Sequence, residues 1–457
     1  MRLPFPTLAT GRAAWRVPRR SALVVALVLA ALTAASAGLQ VHRVDGRHGR
    51  LSADDRAYLR LARDVVERGH WADRGLKQPF RWAPGAPMLF AATAKLTGRP
   101  VNPQTAYDAQ IVIGTLLVPA TFLLAFALAG PVAGLAAAAA VAFYVPLIRA
   151  SATAGTETLG ALMIVLAALA LVLALRRPHP AAFAAAGAAL GLAALVRGDL
   201  APVAVLLPVA VAIVVARADR ARRGLAAGAA MLAGSLVLMA PWSLFASAHA
   251  HRFVPVTDGG AANLFVGTYL PANGTLFGVK RHFAAETRRA HPAVRHVRTF
   301  ALRQQLVLDT VAAGYPGRTR DAALRAAAKD NLRRYALGQP LAFAGMEVRK
   351  LWRMWGGPYR AGRRQAGGLA TWEHRLLVVL AGLGLIAGIA ATRDARLILL
   401  AAFVVLTTAV DVAFVSEARH NARLMPMLLA AGAAGWCLVI PRVRERRRSG
   451  PRPVPGT

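Results

Sequence analysis

The sequence predicts an all-α polytopic membrane protein of about ten spanning helices. Two observations carry that expectation. Apolar runs recur along 457 residues that are 56% hydrophobic, with a mean hydropathy of +0.45, and each is close to the roughly 20 residues that a bilayer core asks of a helix. The connections between the runs also alternate in charge, as a chain that crosses repeatedly requires.

The elements follow in order. Residues 1–20 carry Arg2, Arg12, Arg16, Arg19 and Arg20 ahead of the first run, Ser21 to Leu39. Cations of this kind favour the cytoplasm. Ala34-Ala35-Ser36-Ala37 resembles a signal-peptidase site, but the run is long enough to span and others follow, so an uncleaved anchor is favoured. The loop 41–104 then falls outside the cytoplasm. Within it, 88–96 is apolar but too short to cross, and reads as an interfacial or re-entrant piece.

Further spans are expected near 105–129, 131–148, 158–175, 180–197, 200–216 and 223–247, with the last three near 375–392, 396–415 and 423–441. The connections that should be cytoplasmic are basic: Arg176 to His179, Arg217 to Arg223, Arg393 to Arg396 and the tail 442–457. The short outer ones each include an acid: Arg149 to Glu157, Arg197 to Asp199 and Ser416 to Arg423. The domains expected are thus a membrane module over 21–248, a mixed extracytoplasmic domain over 249–373, and C-terminal spans over 374–441. Met346 to Trp355 mixes Trp with Arg and Lys, a composition suited to the headgroup layer.

Composition excludes some classes. The lone Cys437 rules out internal disulfides and cysteine-rich metal sites. The net charge of +35 sits between apolar runs, which favours anionic lipid headgroups over nucleic acid.

The stretch Ala53 to Pro87 holds the most distinctive polar groups. Asp54 and Asp55 could supply a carboxylate base that takes a proton from an attacking hydroxyl. Ser52 and Asp55 also fit a helix capping box. That accounts for part of Asp55 and none of Asp54, so Asp54 is favoured as base, with Asp55 as support or metal ligand. Arg81 precedes Trp82-Ala83-Pro84-Gly85-Ala86-Pro87. Its guanidinium could clamp a phosphate through paired donors or snorkel beside an interfacial turn.

Glu157 opens a span, where it stabilises a helix N-terminus or serves as a second active-site acid. Arg197 and Asp199 form an ion pair at the membrane surface or contribute to the donor site. Pro241-Trp242 reads as an interfacial pair, and Asp258 to Asn263, rich in Gly and Ala, as backbone close to a ligand. Arg419, His420 and Arg423 crowd the mouth of the last span. Their position opposes the positive-inside bias, which tilts them toward binding a lipid phosphate.

Taken in order, these pieces resemble the GT-C polytopic glycosyltransferases, specifically the bacterial relatives of dolichyl-phosphate-mannose–protein mannosyltransferases and of the lipid A aminoarabinose transferase (glycosyltransferase family 39-like). The matching elements are Asp54-Asp55-Arg56-Ala57-Tyr58, Ala83 to Pro87, Thr156-Glu157-Thr158-Leu159, Leu195 to Arg197, Pro241-Trp242 with Gly259 to Gly267, and Arg419 to Pro426. The chain departs from that pattern at Ala83, at Ala86, at Ser243 to Ala246 and at His420.

The resemblance implies a GT-C-like fold and inverting transfer of a sugar from a polyprenyl-phosphate-linked donor to an extracytoplasmic acceptor, at the outer side of the inner (plasma) membrane. It implies Asp54, Asp55 and Glu157 as catalytic. It implies Arg81, Arg197, Arg419 and Arg423 as donor-phosphate contacts, and Tyr58, Trp82, Asp258, Asn263 and His420 as pocket residues. The sequence shows no metal cluster, and the resemblance leaves a divalent cation, Mg or Mn, open. The alternatives are a transporter or flippase for a lipid-linked substrate, or a non-catalytic partner in cell-envelope assembly.

Overall fold

A computed structural model of the chain describes residues 18–45, 51–71, 79–359 and 368–448, and only the backbone over 442–448. The basic stretch 1–17, the arginine side chains of the tail and the end 449–457 lie outside the described residues. Among the described residues there are nineteen α-helices and no β-strand.

The first block comprises α1 (Arg19–Asp45), α2 (Ala53–Arg68), α3 (Gly85–Thr97), α4 (Pro103–Ala129), α5 (Pro131–Ala142), α6 (Val145–Ala150), α7 (Glu157–Arg176), α8 (Pro180–Val196), α9 (Ala201–Ala218) and α10 (Ala221–Ala250). Then come α11 (Gly260–Thr268), α12 (Leu276–Ala290), α13 (Gln304–Ala313), α14 (Arg320–Asn331) and α15 (Pro340–Trp355). The chain closes with α16 (Gly368–Thr392), α17 (Ala395–Ala413), α18 (Ala418–Ala422) and α19 (Met425–Arg448).

Among the described residues, seven segments are long and apolar enough to cross a bilayer: α1, α4, α7, Gly198–Ala218 around α9, α10, α16 and α17. Three shorter apolar helices are α5, α8 and the Met425–Pro441 part of α19. The chain is therefore a multi-pass membrane protein.

The expected span 131–148 is two helices. Pro146 has no N–H to give the Ala142 carbonyl, and its ring would clash with that carbonyl in a continuous helix; α5 stops at Ala142 and Tyr144 is extended before α6 begins. The expected interfacial piece is α3, 13 residues long and so about 20 Å at 1.5 Å per residue, too short to cross. It packs on α2, α4 and α8.

Small residues let the helices approach closely, as apolar surroundings demand of packing that has no hydrophobic drive. A Cβ on Gly187 of α8 would lie 1.8 Å from the Met231 carbonyl oxygen of α10, and one on Gly435 of α19 would lie 1.9 Å from the Gly384 carbonyl oxygen of α16. Ser235 Oγ donates to the Gly187 carbonyl at 2.9 Å.

Residues 249–359 build a second core around Phe265, Leu308 and Leu324. Lys350 stands where this domain meets the bundle, its side chain bonded within the domain and its carbonyl to Ser416. Fully buried, it donates to the Gly267 carbonyl at 2.9 Å and to Glu347 at 3.0 Å, while its own carbonyl accepts from Ser416 Oγ at 3.0 Å. One end of the bundle thus gathers α2, α3, the starts of α7, α9 and α19, the end of α17, and this domain.

Candidate active site

Ser52 caps α2. Its Oγ accepts from the Asp55 N–H at 3.0 Å, and the Asp55 carboxylate accepts from the Ser52 N–H at 2.8 Å. Asp55 is buried within that box. Asp54 instead faces the end of the bundle, where Arg419 Nη1 donates to its Oδ2 at 2.8 Å, with the two side chains 39% and 37% exposed. Both are open enough for a substrate to reach. Asp54 Oδ1 has no hydrogen bond among the described residues.

Tyr58 is four residues on and so shares a helix face with Asp54. Burial, then the Asp54 charge, raises its pKa, so the phenol stays a neutral O–H. Arg197, Glu157 and Arg419 act on the same phenol. Arg419 Nε also faces Glu417 Oε2 at 3.0 Å, and Glu417 and Asp54 hold that guanidinium above its ordinary range.

Deeper in lies a chain of buried charges. Arg197 Nη1 donates to Thr156 Oγ1 at 3.0 Å and stands 3.6 Å from Glu157 Oε1, while its Nη2 donates to Asp199 Oδ2 at 3.0 Å. Arg423, fully buried, donates through Nη1 to both Asp199 oxygens at 2.6 Å and through Nη2 to both Asp411 oxygens at 2.8 and 2.7 Å. Paired donors of this kind are what offset the desolvation of a buried guanidinium.

His420 Nδ1 is 3.6 Å from Asp411 Oδ1. Burial, reinforced by Arg197, Arg423 and Arg419, pushes the His420 pKa well below its usual value, so the ring is neutral at pH 7. Asp199, Asp411 and His420 bring ligand-type atoms within 4.8 Å of one another. The sequence showed no such cluster because its members come from three separate segments.

Arg81 differs from the other arginines. Its Nη2 donates to the neutral Gln304 at 2.7 Å, and its Cζ sits 5.1 Å over the Trp82 ring. Among the described residues no carboxylate lies within ion-pair distance of it. Burial lowers its pKa, and Asp54 is the strongest charge opposing that shift. The loop is held from two sides. The Asp258 N–H donates to the Phe80 carbonyl at 3.0 Å, and the Asp258 carboxylate accepts from Arg252 at 2.9 Å. A Cβ on Gly85 would lie 2.6 Å from Val196 Cγ2, so only glycine lets this turn rest against the residue before Arg197.

The expected site residues therefore do not form one group. Asp54, Tyr58, Glu157, Arg197, Arg419, His420 and Arg423 join the charged network, with Arg81, Trp82 and Asp258 beside it. Asn263 is exposed on α11 and makes no side-chain hydrogen bond among the described residues. Trp242 is a packing pin: its Nε1 donates to the Val256 carbonyl at 2.8 Å, and its ring meets Trp71, Phe80 and Phe245. Sequence reasoning missed Gln304 and Tyr359. Glu157, Arg419, Asp55 and Arg197 all act on the Tyr359 phenol, and burial raises its pKa well above the usual value. Its signal was Gly356-Gly357-Pro358-Tyr359, a turn just before a span.

Comparison with known proteins accords with this architecture. The family model described as dolichyl-phosphate-mannose-protein mannosyltransferase matches residues 77–245. No curated protein sequence matches the chain. Among solved structures, the oligosaccharyltransferase AglB of Archaeoglobus fulgidus, in complex with an inhibitory peptide and a dolichol-phosphate, is 14% identical. It matches with a TM-score of 0.58 over 96% of this chain and 53% of that one. The apo form of the Archaeoglobus fulgidus oligosaccharyltransferase is 16% identical, with a TM-score of 0.57 over 93% of this chain and 51% of that one. ArnT from Cupriavidus metallidurans, bound to undecaprenyl phosphate, is 18% identical, with a TM-score of 0.40 over 93% and 81%.

The fold is thus the all-α GT-C membrane fold. The chain spans about half the length of the oligosaccharyltransferases it matches.

Proposed function

We propose that this protein is a membrane glycosyltransferase that moves a sugar from a polyprenyl-phosphate-linked donor to an acceptor hydroxyl on the extracytoplasmic side. The observation that carries the reading is the nearness of Asp54, a reachable carboxylate, to Arg81, a cation that feels the Asp54 charge yet makes no ion pair among the described residues. The mannosyltransferase family match over 77–245 supports it. So does the fold shared with an oligosaccharyltransferase solved with a dolichol-phosphate.

In one displacement the acceptor oxygen attacks the anomeric carbon and its proton passes to Asp54. The bond from that carbon to the phosphate oxygen breaks, and the electron pair leaves with the polyprenyl phosphate. The carbon inverts. Arg81 meets the developing phosphate charge, assisted by Arg419, which reaches both Asp54 and solvent. Stabilisation of such a leaving group by fixed cations is a large catalytic term. Arg197, bonded to Asp199, and Arg423, bonded to Asp199 and Asp411, hold the floor of the site. The buried charges lie at helix ends rather than at mid-span, where a transporter tends to keep them.

Asp199, Asp411 and His420 offer a cation some of what it needs. Arg423, bonded to all four carboxylate oxygens of Asp199 and Asp411, already stands where the cation's charge would be. The residues do not fit a divalent ion while that guanidinium is in place, and no step passes through a metal.

The test is transfer from a panel of radiolabelled polyprenyl-phosphate sugars by the purified protein mixed with cell-envelope acceptors. Label entering the acceptor fraction is expected. A folded protein that transfers from no donor overturns the reading.

A further inference from the structure

Residues 249–359 carry 17 Lys and Arg against six Asp and Glu. The cations nearest the site are paired: Arg252 with Asp258 and Asp321, and Arg320 with Asp309. Arg318, Arg325, Lys329 and Arg333 are not. All four are exposed, and none makes an ion pair among the described residues. They line a single cleft of about 420 Å³.

Arg325, Lys329 and Arg333 recur every fourth residue along α14 and the π turn Leu332–Leu337 that continues it. Like charges at that spacing repel. The helix cannot turn them away from one another, because its other face, with Ala323, Leu324, Ala327 and Ala328, is buried. Asp330 is the one acid lining the cleft, and the Tyr315 O–H already donates to it at 2.8 Å. The fold therefore holds four cations together with little internal compensation.

The foot of this helix stands at the active site. Asp321 accepts from Arg252, which also binds Asp258 beside the Phe80-Arg81 segment, and Arg320 acts electrostatically on Arg81. We propose that the cleft of Arg318, Arg325, Lys329 and Arg333 binds an acceptor carrying repeated anionic groups, phosphate or carboxylate, and leads it toward Asp54. The acceptor role rests on the glycosyltransferase reading. Four exposed cations without ion pairs among the described residues complement a chain of anionic groups, and the volume is within the few hundred Å³ of ordinary ligand sites.

The test uses the full chain in phosphatidylcholine nanodiscs, probed with fluorescein-labelled decaglutamate and fluorescein-labelled polyphosphate, with neutral dextran as control. The parent is expected to bind at least one anionic probe, more weakly as salt rises. Preference between the probes identifies a carboxylate or a phosphate acceptor. Arg325→Gln with Arg333→Gln is expected to weaken binding at least ten-fold. Arg295→Gln, at an exposed position outside the cleft, leaves it unchanged. Equal binding by parent and double variant, or no binding of either probe, overturns the proposal. So does an effect seen only when phosphatidylglycerol is added, which would assign the cleft to the bilayer. Binding is read without turnover, so a parent that binds but transfers no sugar counts against the enzyme reading and not against the cleft.

Discussion

Arg419 donates to Asp54 across 2.8 Å, although 365 positions separate them in the chain. The contact joins the first loop of the bundle to the turn before its last helix. It orients the Asp54 carboxylate on the side of the bundle where Arg81 lies, and in the proposed reaction it would give the leaving phosphate a second cation. Arg419→Gln is expected to lower transfer by about a hundred- to a thousand-fold, the range for removing one preorganised stabilising group, while thermal stability changes little. Single-turnover rates measured beside a thermal midpoint check this.

Arg423 is the opposite case. It is sealed between Asp199 and Asp411, so removing it leaves buried carboxylates without compensation. Arg423→Leu is expected to destabilise the protein by about 3–5 kcal/mol. Asp411→Leu added to it should recover much of that loss, because Asp199 keeps Arg197. Denaturation of the single and double variants in detergent reads both terms, and equal loss in the two would contradict the pairing.

The same pair bears on metal. With Arg423 bonded to both carboxylates, exhaustive treatment with EDTA should leave transfer within two-fold of the untreated enzyme. Activity lost to the chelator and restored by Mg or Mn would instead assign a cation to Asp199, Asp411 and His420.

His420 supplies a pH dependence with a definite sign. Its pKa is depressed in the folded state, whereas an unfolded chain has a histidine near about 6.5. As pH falls through that unfolded value the unfolded chain binds the extra proton first, so stability drops. The loss continues until pH reaches the lower, folded value. His420→Gln should flatten the fall. The difference between parent and variant thermal midpoints from pH 8 to pH 5 isolates it from other groups.

Much of this was legible in the sequence wherever the cause is local. The capping box on Asp55 follows from Ser52 three residues earlier, and it separates Asp55 from Asp54. The apolar runs anticipate the bundle because bilayer thickness fixes helix length. The break at Tyr144 has its local cause in Pro146, although the apolar composition of 131–148 runs on without a gap.

What could not be read is pairing over distance. Nothing in the sequence ties Arg81 to Gln304 or Arg423 to Asp199, since the first contact depends on how the 249–359 domain folds back onto the first loop and the second on how the last helices pack against the turn after α8. Trp242 has the composition of an interfacial anchor, yet its partner Val256 lies beyond a helix end. Cleft cations such as Arg325 and Lys329 look like any solvated helix face until the helix is seen to be packed on its other side.

The measurement that bears most directly on the central claim compares sugar transfer by the parent, Asp54→Asn and Asp55→Asn in the same membranes, from one radiolabelled polyprenyl-phosphate sugar. The predicted result is transfer abolished by Asp54→Asn and largely kept by Asp55→Asn, whose amide can still accept from the Ser52 N–H. Transfer that survives Asp54→Asn at the parent rate would contradict the assignment of Asp54 as the base.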